Sequence, residues 1–415
     1  MKKNYLITFL CFFFLILSSV QADAFELKST HALLINLDEQ KILYEKNAEE
    51  KTSIASLTKI MTSIVALENI DSLDETVVLK ASDFQGLIEA NAAVAGFYIG
   101  EVVTYRDLLY GLMLPSGADA AQALTRLVAG NRENFVLKMN EKAKSLGLQQ
   151  TNFVNETGLD AENHYASLKD VAKMFQYALQ NEEFKKIISS SSYQVSNGSK
   201  ILHSTVERNL QKNQITMDYL IGGKTGTTEN AGLCLASLAS ANGSNYMLIT
   251  TGAPQENNNP YNFLDTKTIY DYFMEHYETQ TVLENGQELL TLNTRYAKEA
   301  QLSFKSQFNL SKYLPKNYAK ENIKIEYLGI QEVNYDTPIN TKLGTLKIIV
   351  EGETLKTLDI ILNETLHFDI FKYLTANIHW VIIVILVILS FYLYFHFLKK
   401  TWKQKRKNQS RTVKV

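Results

Sequence analysis

The chain has 415 residues, of which 46% are hydrophobic, 21% are charged and 11% are aromatic, and its formal net charge is −2. This balance is typical of a folded protein and far from the low hydrophobicity and high net charge of a disordered chain. It also excludes the strongly basic composition expected of a nucleic-acid-binding protein.

The N-terminal segment, residues 1–24, has the pattern of a secretory signal peptide. Lys2 and Lys3 give it a positive start, residues 5–20 are almost wholly apolar, and residues 22–24, Ala-Asp-Ala, form a small-x-small cleavage site. An uncleaved N-terminal membrane anchor is the alternative. We predict an exported protein whose mature chain begins at about residue 25.

The following segment, residues 25–277, is predicted to form one α+β domain. Hydrophobic periodicity predicts a strand–turn–strand unit at 31–43, helices at 56–68, 118–128, 131–145, 168–179 and 265–276, and strands at 232–240 and 246–253. Because strands lie at both ends and helices between them, we expect the sheet to pair its first and last strands.

The sequence pattern of the C-terminal part changes twice. Residues 278–364 alternate apolar and polar positions and are split by turn-forming Gly and Asn, which predicts a small all-β domain. After a juxtamembrane segment, 365–377, residues 378–398 contain no Asp, Glu, Lys or Arg. A helix of that length would measure roughly 31 Å and could cross a bilayer. A buried core helix is the alternative.

The final segment, residues 399–415, carries eight Lys or Arg and no acidic residue. By the positive-inside rule this tail is cytoplasmic, so the membrane-anchored body lies outside the cell. Once the predicted signal and tail are set aside, 32 basic and 43 acidic side chains remain, a net charge near −11 that argues against a nucleic-acid partner. In the mature chain Cys234 stands alone, so no internal disulfide forms, and its leucine neighbours predict a buried strand thiol.

The first chemical motif is Ser56-Leu57-Thr58-Lys59, an S-x-x-K pattern. Residues three apart share one face of a helix, which would bring the hydroxyl and the amine together. A serine becomes a good nucleophile when a base takes its proton, and a lysine can be that base when burial or a second cation lowers its pKa. An ordinary surface serine and lysine is the alternative reading.

Two further motifs favour the catalytic reading of Ser56 and Lys59 over the surface reading. Ser116 follows an apolar stretch and presents a second hydroxyl, and the sequence Lys224-Thr225-Gly226 opens a later strand. Gly-Lys-Thr also ends a phosphate-binding loop, but Asp218 stands where that loop needs its first glycine. S-x-x-K, a later serine motif and K-T-G in this order form the set found in penicillin-recognising enzymes.

With these motifs the chain resembles the serine D-alanyl-D-alanine carboxypeptidases, the low-molecular-mass penicillin-binding proteins. The segments that carry the resemblance are "ASLTKIMTSIVALE", "GLMLPSGADAA", "TNFVNETGLD" and "GGKTGTTENAGLCL". It covers residues 25–277, and the β unit that follows resembles the family's C-terminal domain. It implies a transpeptidase-like (β-lactamase-like) fold, with the active site between the sheet edge and the helical part.

The resemblance implies roles for the first two motifs. Ser56 would be the acylated nucleophile and provide one backbone N–H of the oxyanion hole, Lys59 would be its general base, and Ser116 would relay protons to the leaving D-alanine. The chain departs from the family at Ala118, where an asparagine usually helps to hold the substrate's acyl portion and the catalytic lysine. Asp119 should point elsewhere on its helix and not replace that amide.

It also implies a substrate-binding strand. Lys224 would supply positive potential for the substrate's terminal carboxylate, and Thr225 and Thr228 would supply hydroxyl contacts to it. The backbone N–H of Thr227 would complete the oxyanion hole, which is often the largest single catalytic contribution. Glycine at position 226 would allow close approach of the substrate backbone.

The implied activity is removal of the terminal D-alanine from peptidoglycan stem pentapeptides through a Ser56 acyl-enzyme, with β-lactams as covalent inhibitors and the C-terminal helix as membrane anchor. A β-lactamase is one alternative, although the glutamate in "NETGL", residues 155–159, lacks the surroundings of a class A deacylating residue. A catalytically weak wall-binding scaffold is another, for which Ala118 is the best argument. No metal or cofactor motif is present in the sequence, and none is expected.

Overall fold

The computed structural model describes residues 26–412, with side chains described as far as residue 406. The predicted signal peptide lies outside these residues. The described chain forms two units, one of residues 26–279 with Tyr313–Lys316, and one of residues 280–312 with the chain from Asn317 onward.

The first unit is built on a five-stranded sheet. The strands of the whole unit are β1 (His31–Asn36), β2 (Lys41–Lys46), β3 (Thr76–Val78), β4 (Val102–Thr104), β5 (Ser192–Gln194), β6 (Ile201–His203), β7 (Leu220–Thr228), β8 (Gly232–Ala241) and β9 (Ser244–Ala253). The large sheet has the order β2-β1-β9-β8-β7 and is antiparallel throughout, whereas β3–β4 and β5–β6 are separate hairpins. The first strand pairs with the last, as predicted, and β7 is an edge strand.

Helices cover both faces of this sheet. They are α1 (Lys59–Asn69), α2 (Tyr105–Met113), α3 (Ala118–Ala129), α4 (Arg132–Ser145), α5 (Leu168–Ala178), α6 (Glu182–Ile188), α7 (Thr205–Asn213) and α8 (Tyr261–His276). Four of the predicted helices, those that correspond to α3, α4, α5 and α8, are confirmed. The sequence did not predict α2, α6 and α7. α5 packs on one face of the sheet, beside α1, and α8 packs on the β8 and β9 strands.

The helix predicted at residues 56–68 begins three residues late. Residues 55–58 form a 3-10 turn instead, closed by a hydrogen bond from the Leu57 N–H to the Ile54 carbonyl (3.0 Å). The reason lies at the first residue of this turn, because Ala55 has φ +44° and turns the chain into the left-handed region. α1 then runs through the centre of the core, and residues 59–66 are all buried.

The second unit is rich in strands, as predicted. The strands from residue 277 onward are β10 (Tyr277–Leu283), β11 (Glu288–Arg295), β12 (Gln301–Lys305), β13 (Leu310–Pro315), β14 (Lys324–Gly329), β15 (Glu332–Asn334), β16 (Lys342–Val350) and β17 (Glu353–Ile361). The first residues of β10 and the last residues of β13 belong to the first unit. Two three-stranded sheets, β12-β11-β15 and β14-β16-β17, enclose a core that includes Leu292, Leu346 and Ile348.

Two helices follow the strands of the second unit, α9 (Ile370–Ala376) and α10 (Ile378–Thr412). Within α10, the part Ile378–Arg406 is long and apolar enough to cross a membrane, with a mean hydropathy of 2.6 in its most apolar window. Its apolar side chains are exposed in the isolated chain. The helix is thus compatible with the predicted membrane anchor.

Candidate active site

The 3-10 turn before α1 displays Ser56 at the mouth of a cleft. The side chain of Lys59 returns to the same point, and its Nζ donates a hydrogen bond to Ser56 Oγ (2.9 Å). The left-handed Ala55 beside them is costly for a residue with a Cβ, and backbone strain of this kind clusters at functional sites. The two ends of the S-x-x-K motif therefore meet as predicted.

Lys59 is almost fully buried, and its Nζ also donates to the carbonyl oxygen of Thr157 (2.7 Å). Burial lowers the pKa of this amine to about 7, against opposing contributions from the carboxylates of Glu156 and Asp119. A substantial fraction of Lys59 is consequently neutral at neutral pH. A neutral amine in hydrogen-bond contact with a serine hydroxyl can act as its general base.

The loop that supplies the Thr157 carbonyl has a closely fixed shape. The Asn155 side chain accepts hydrogen bonds from the N–H groups of Thr157 (3.1 Å) and Gly158 (2.7 Å). Gly158 has φ +78°, and a Cβ there would lie 2.0 Å from the Ala55 carbonyl oxygen. Only glycine fits this contact, so the loop packs directly against the 3-10 turn that carries Ser56.

The second serine, Ser116, lines the same cleft as Ser56. Ser116 precedes α3 with φ +66°, and its Oγ accepts a hydrogen bond from Lys224 Nζ (2.8 Å). Lys224 is fully buried and donates also to the carbonyl oxygen of Thr225 (2.8 Å). Burial, and next the positive charge of Lys59, lower the pKa of Lys224 well below its usual range. A carboxylate bound in the cleft would favour the charged form of Lys224.

The K-T-G strand β7 turns alternate residues to different sides. Thr225 and Thr227 line the cleft. Gly226 between them also lines the cleft, and it faces the turn that carries Ser56, where a Cβ would lie 3.0 Å from Ala55 Cβ and 3.1 Å from Ser56 N. A side chain at position 226 would therefore be crowded against that turn, and the substrate approach predicted from the sequence stays a prediction.

Thr228 is not among the described residues that line the cleft. Its hydroxyl donates to Asp160 Oδ1 (2.7 Å) and accepts from the Ala231 N–H (3.1 Å). Asp160 Oδ2 also accepts from the Asn230 N–H (3.0 Å). The hydroxyl is thus engaged in closing the end of β7, and its predicted contact with a substrate carboxylate stays a prediction.

Position 118 provides a methyl group where the family usually has an amide. Ala118 is buried, and its N–H donates a hydrogen bond to the carbonyl oxygen of Ala93 (2.8 Å). Ala93 lines the cleft. The neighbouring Asp119 turns away from Lys59, and its carboxylate accepts from the N–H groups of Ala95 (2.8 Å) and Gly96 (3.1 Å). Lys59 is held instead by Ser56 and the loop carbonyl described above.

The cleft has a volume of about 480 Å³. Ser56, Ser116, Thr225 and Thr227 all reach its surface, whereas Lys59 and Lys224 lie buried beneath it. Its wall includes one face of α7, which contributes polar and charged side chains. The residues of that face are Thr205, Arg208, Asn209, Lys212 and Asn213.

Two features of this site were missed in the sequence. Arg208 is exposed to the cleft on a helix that the sequence did not predict. Glu156 is fully buried in a bidentate ion pair with Arg132 (2.9 and 3.1 Å). The pair secures the loop next to Lys59, and the only sequence signal was the glutamate of "NETGL", which was considered solely as a β-lactamase residue.

Cys234 takes no part in this chemistry. It is buried in β8, as predicted, and burial raises the pKa of its thiol to about 12. Such a thiol is a poor nucleophile because the reactive form is the thiolate. Among the described residues, no group of His, Cys, Asp and Glu is arranged to hold a metal ion.

Comparison with known proteins agrees with this geometry. Residues 18–255 match the family described as D-alanyl-D-alanine carboxypeptidase, peptidase S11, and residues 277–367 match the C-terminal domain of penicillin-binding protein 5. The D-alanyl-D-alanine carboxypeptidase DacF of Bacillus subtilis is 31% identical over 339 residues, which cover 80% of this chain and 84% of DacF. DacC of Escherichia coli is 27% identical over 344 residues, covering 80% of this chain and 82% of DacC.

Solved structures give the same fold. The Streptomyces K15 DD-transpeptidase, 29% identical, superposes with a TM-score of 0.54 over 59% of this chain and 97% of its own. Penicillin-binding protein 5 of Haemophilus influenzae, 22% identical, shares the fold with a TM-score of 0.59 over 82% of this chain and 98% of its own. The predicted fold and enzyme class are confirmed, and the chain belongs to the peptidase S11 family of D-alanyl-D-alanine carboxypeptidases, with a penicillin-binding-protein-5-type C-terminal domain.

Proposed function

We propose that this carboxypeptidase removes the terminal D-alanine of peptidoglycan stem pentapeptides through an acyl-enzyme on Ser56. The observation that carries the proposal is the buried Lys59 amine, which has a pKa of about 7 and lies 2.9 Å from Ser56 Oγ. Acylation requires a base at this distance that is neutral at working pH. The family assignment favours this reaction over the β-lactamase and scaffold alternatives.

The reaction begins when Lys59 takes the proton of Ser56 and the serine oxygen attacks the carbonyl carbon of the penultimate D-alanine. The backbone N–H groups of Ser56 and Thr227 stabilise the oxyanion that forms. Ser116, in contact with Lys224, passes a proton to the leaving amine. The C–N bond breaks and D-alanine leaves. Water then hydrolyses the ester, while the same groups take a proton from that water and return one to the Ser56 oxygen.

The substrate's terminal carboxylate is bound by Thr225, Arg208 and the charged form of Lys224. Arg208 is the group among these that is always a cation and always accessible from the cleft. The substrate backbone lies along β7, because this edge strand pairs with β8 alone in its sheet. An extended peptide gains main-chain hydrogen bonds by adding to such an edge.

The proposal also covers the inhibitors, the membrane anchor and the partners of the protein. β-Lactams acylate Ser56 and act as covalent inhibitors. α10 anchors the protein in the cell membrane in a single pass, with the basic tail in the cytoplasm and the catalytic unit outside, in agreement with the charge asymmetry of the sequence. The net charge near −11 of the exported part argues against nucleic acid as a partner.

The test is mass spectrometry of a pentapeptide that ends in D-Ala-D-Ala, with labelling by a fluorescent penicillin in parallel. The wild type should release one D-alanine and become labelled, and Ser56→Ala should do neither. Ser82→Ala, which removes an exposed hydroxyl away from the cleft, is the matched control and should behave as the wild type. A wild type that remains unlabelled and inactive would favour the scaffold, whereas rapid turnover of the penicillin would favour a β-lactamase.

A further inference from the structure

The side chain of Glu156 is completely buried in the loop that contacts Lys59. Its two carboxylate oxygens accept hydrogen bonds from Arg132, one from Nε (2.9 Å) and one from Nη2 (3.1 Å). Arg132 is the first residue of α4. Because a buried charge is stable only when it is paired and hydrogen-bonded, Glu156 ties its loop to the start of that helix.

The backbone of Glu156 is fixed by α1. Its carbonyl oxygen accepts a hydrogen bond from Thr62 Oγ1 (2.7 Å), and the next carbonyl oxygen, that of Thr157, accepts from Lys59 Nζ (2.7 Å). Thr62 follows Lys59 by three residues, so the two side chains lie on the same face of the helix. This face therefore holds two consecutive carbonyl groups of the loop. A displacement of Glu156 would also displace the carbonyl that contacts Lys59.

Charged groups approach Lys59 from three elements of the fold. Burial lowers the pKa of Lys59, whereas the carboxylates of Glu156 in the loop and of Asp119 on α3 raise it, Glu156 more strongly. From β7, the amine of Lys224 repels the charge of Lys59. The Arg132 guanidinium, bound to Glu156, offsets the charge of the carboxylate that acts most strongly on the base.

The two partners of this pair differ in exposure. The side chain of Arg132 is 51% exposed, whereas that of Glu156 is 0% exposed. A substitution at Arg132 therefore removes little packing, but it leaves a buried carboxylate without its cation. Removing one partner of a buried pair costs more than the pair itself contributes, because the remaining charge is uncompensated.

We propose that the Glu156–Arg132 pair is a positioning pair for acylation. It keeps the Thr157 carbonyl against Lys59 and thereby keeps the amine directed at Ser56 Oγ. Neither partner is among the described residues that line the cleft, so the pair acts through Lys59 and not by touching the substrate. This inference rests on the proposed function.

The test is the pH dependence of acylation by a fluorescent penicillin, measured on the full-length protein from pH 5 to pH 9. Arg132→Gln leaves the Glu156 charge uncompensated, so the midpoint of the profile should move up by about one pH unit. Glu156→Gln removes that charge but keeps an acceptor for Arg132, so the midpoint should move down. Arg132→Lys keeps the positive charge and should return the midpoint towards that of the wild type.

The rate at high pH reports the position of the amine. In Arg132→Gln this plateau should fall roughly 10- to 100-fold, because misplacement of a group by 1 Å can cost about 100-fold. A loss of stability alone would not move the midpoint in opposite directions from the two ends of one pair. If Arg132→Gln does not fold, the downward shift in Glu156→Gln decides the question.

A second ion pair provides the matched control. Arg126 also binds a buried carboxylate through two hydrogen bonds, to Asp83 Oδ1 and Oδ2 (both 2.7 Å). Both pairs line a second cavity, of about 510 Å³. Asp83, however, belongs to the short helix of residues 81–84 and not to the loop that contacts Lys59. Arg126→Gln should therefore lower the melting temperature and leave the midpoint and the plateau unchanged.

The outcomes separate this inference from the proposed function. Wild-type midpoints and plateaus in both Arg132→Gln and Glu156→Gln would overturn the inference and leave the carboxypeptidase assignment intact. Equal shifts in Arg126→Gln and Arg132→Gln would also overturn it, because lost stability would then be the cause. A wild type that is not acylated at Ser56 would refute the proposed function and this inference together.

Discussion

The pKa of Lys59 gives the most direct test of the proposed mechanism. Burial lowers it from the usual 10.5 to about 7. If the neutral amine is the base, the acylation rate should rise roughly tenfold per pH unit below pH 7 and level off above it. About a tenth of the amines would be neutral at pH 6 and about nine tenths at pH 8. An amine with the usual pKa would be only about 0.3% neutral at pH 8, and the rate would still be rising at pH 9.

The assay is the second-order rate constant for acylation by a fluorescent penicillin, measured by stopped flow from pH 5 to pH 9. Thermal melting at each pH serves as the control for unfolding. The buried amine also affects stability, because between pH 7 and pH 10.5 the unfolded chain binds more protons at Lys59 than the folded chain does. The contribution of this group to stability therefore increases with pH across that window. A rate that climbs steadily to pH 9, or one that is flat from pH 5, would refute the assignment of Lys59 as the base.

Further variants test the geometry around this base. Arg208→Gln should lower kcat/KM for D-alanine release roughly 10- to 100-fold, since hydrogen bonds to charged groups contribute about 1.5–3 kcal/mol, and an unchanged value in kinetic assays would remove Arg208 from the site. Gly226→Ala should destabilise the fold by about 1–3 kcal/mol through the contact with Ala55, measurable by denaturant unfolding; wild-type stability would disprove the packing argument. Ala118→Asn places a larger group in a buried position and should also lower stability by about 1–3 kcal/mol, whereas faster penicillin acylation at full stability would show that the amide is accommodated. Truncation after residue 377 should release an active soluble protein, and its retention in the membrane fraction would indicate another membrane contact.

The sequence predicted those helices whose apolar stripe is long. α3, α4, α5 and α8 each have 11 or more residues, and their apolar positions recur with helical spacing. α7 has nine residues, "TVERNLQKN", with apolar side chains only at Val206 and Leu210. Five of its seven other residues line the cleft, and all five are polar or charged. A functional surface of this kind removes the signal on which the prediction depends.

The proposed catalytic side chains could be selected from the sequence because their residue types and order form a recognisable pattern. The carbonyl of Thr157 was not, because every residue has a backbone carbonyl and its placement depends on the fold of a loop. Arg208 comes to line the same cleft as Thr225 through packing of α7 against β7. Motifs thus indicated the proposed reacting groups, and the tertiary structure identified the groups that contact them.

The two buried amines have a consequence for ligand binding. Lys59 and Lys224 lie beneath the same cleft, and the charge of one disfavours the charge of the other. A substrate carboxylate that enters would stabilise an additional positive charge, and the proton for it would come from the solvent. Peptide binding near neutral pH should therefore take up protons, so that the heat measured by calorimetry varies with the ionisation enthalpy of the buffer. A peptide amide of the same shape should bind with a heat that is independent of the buffer.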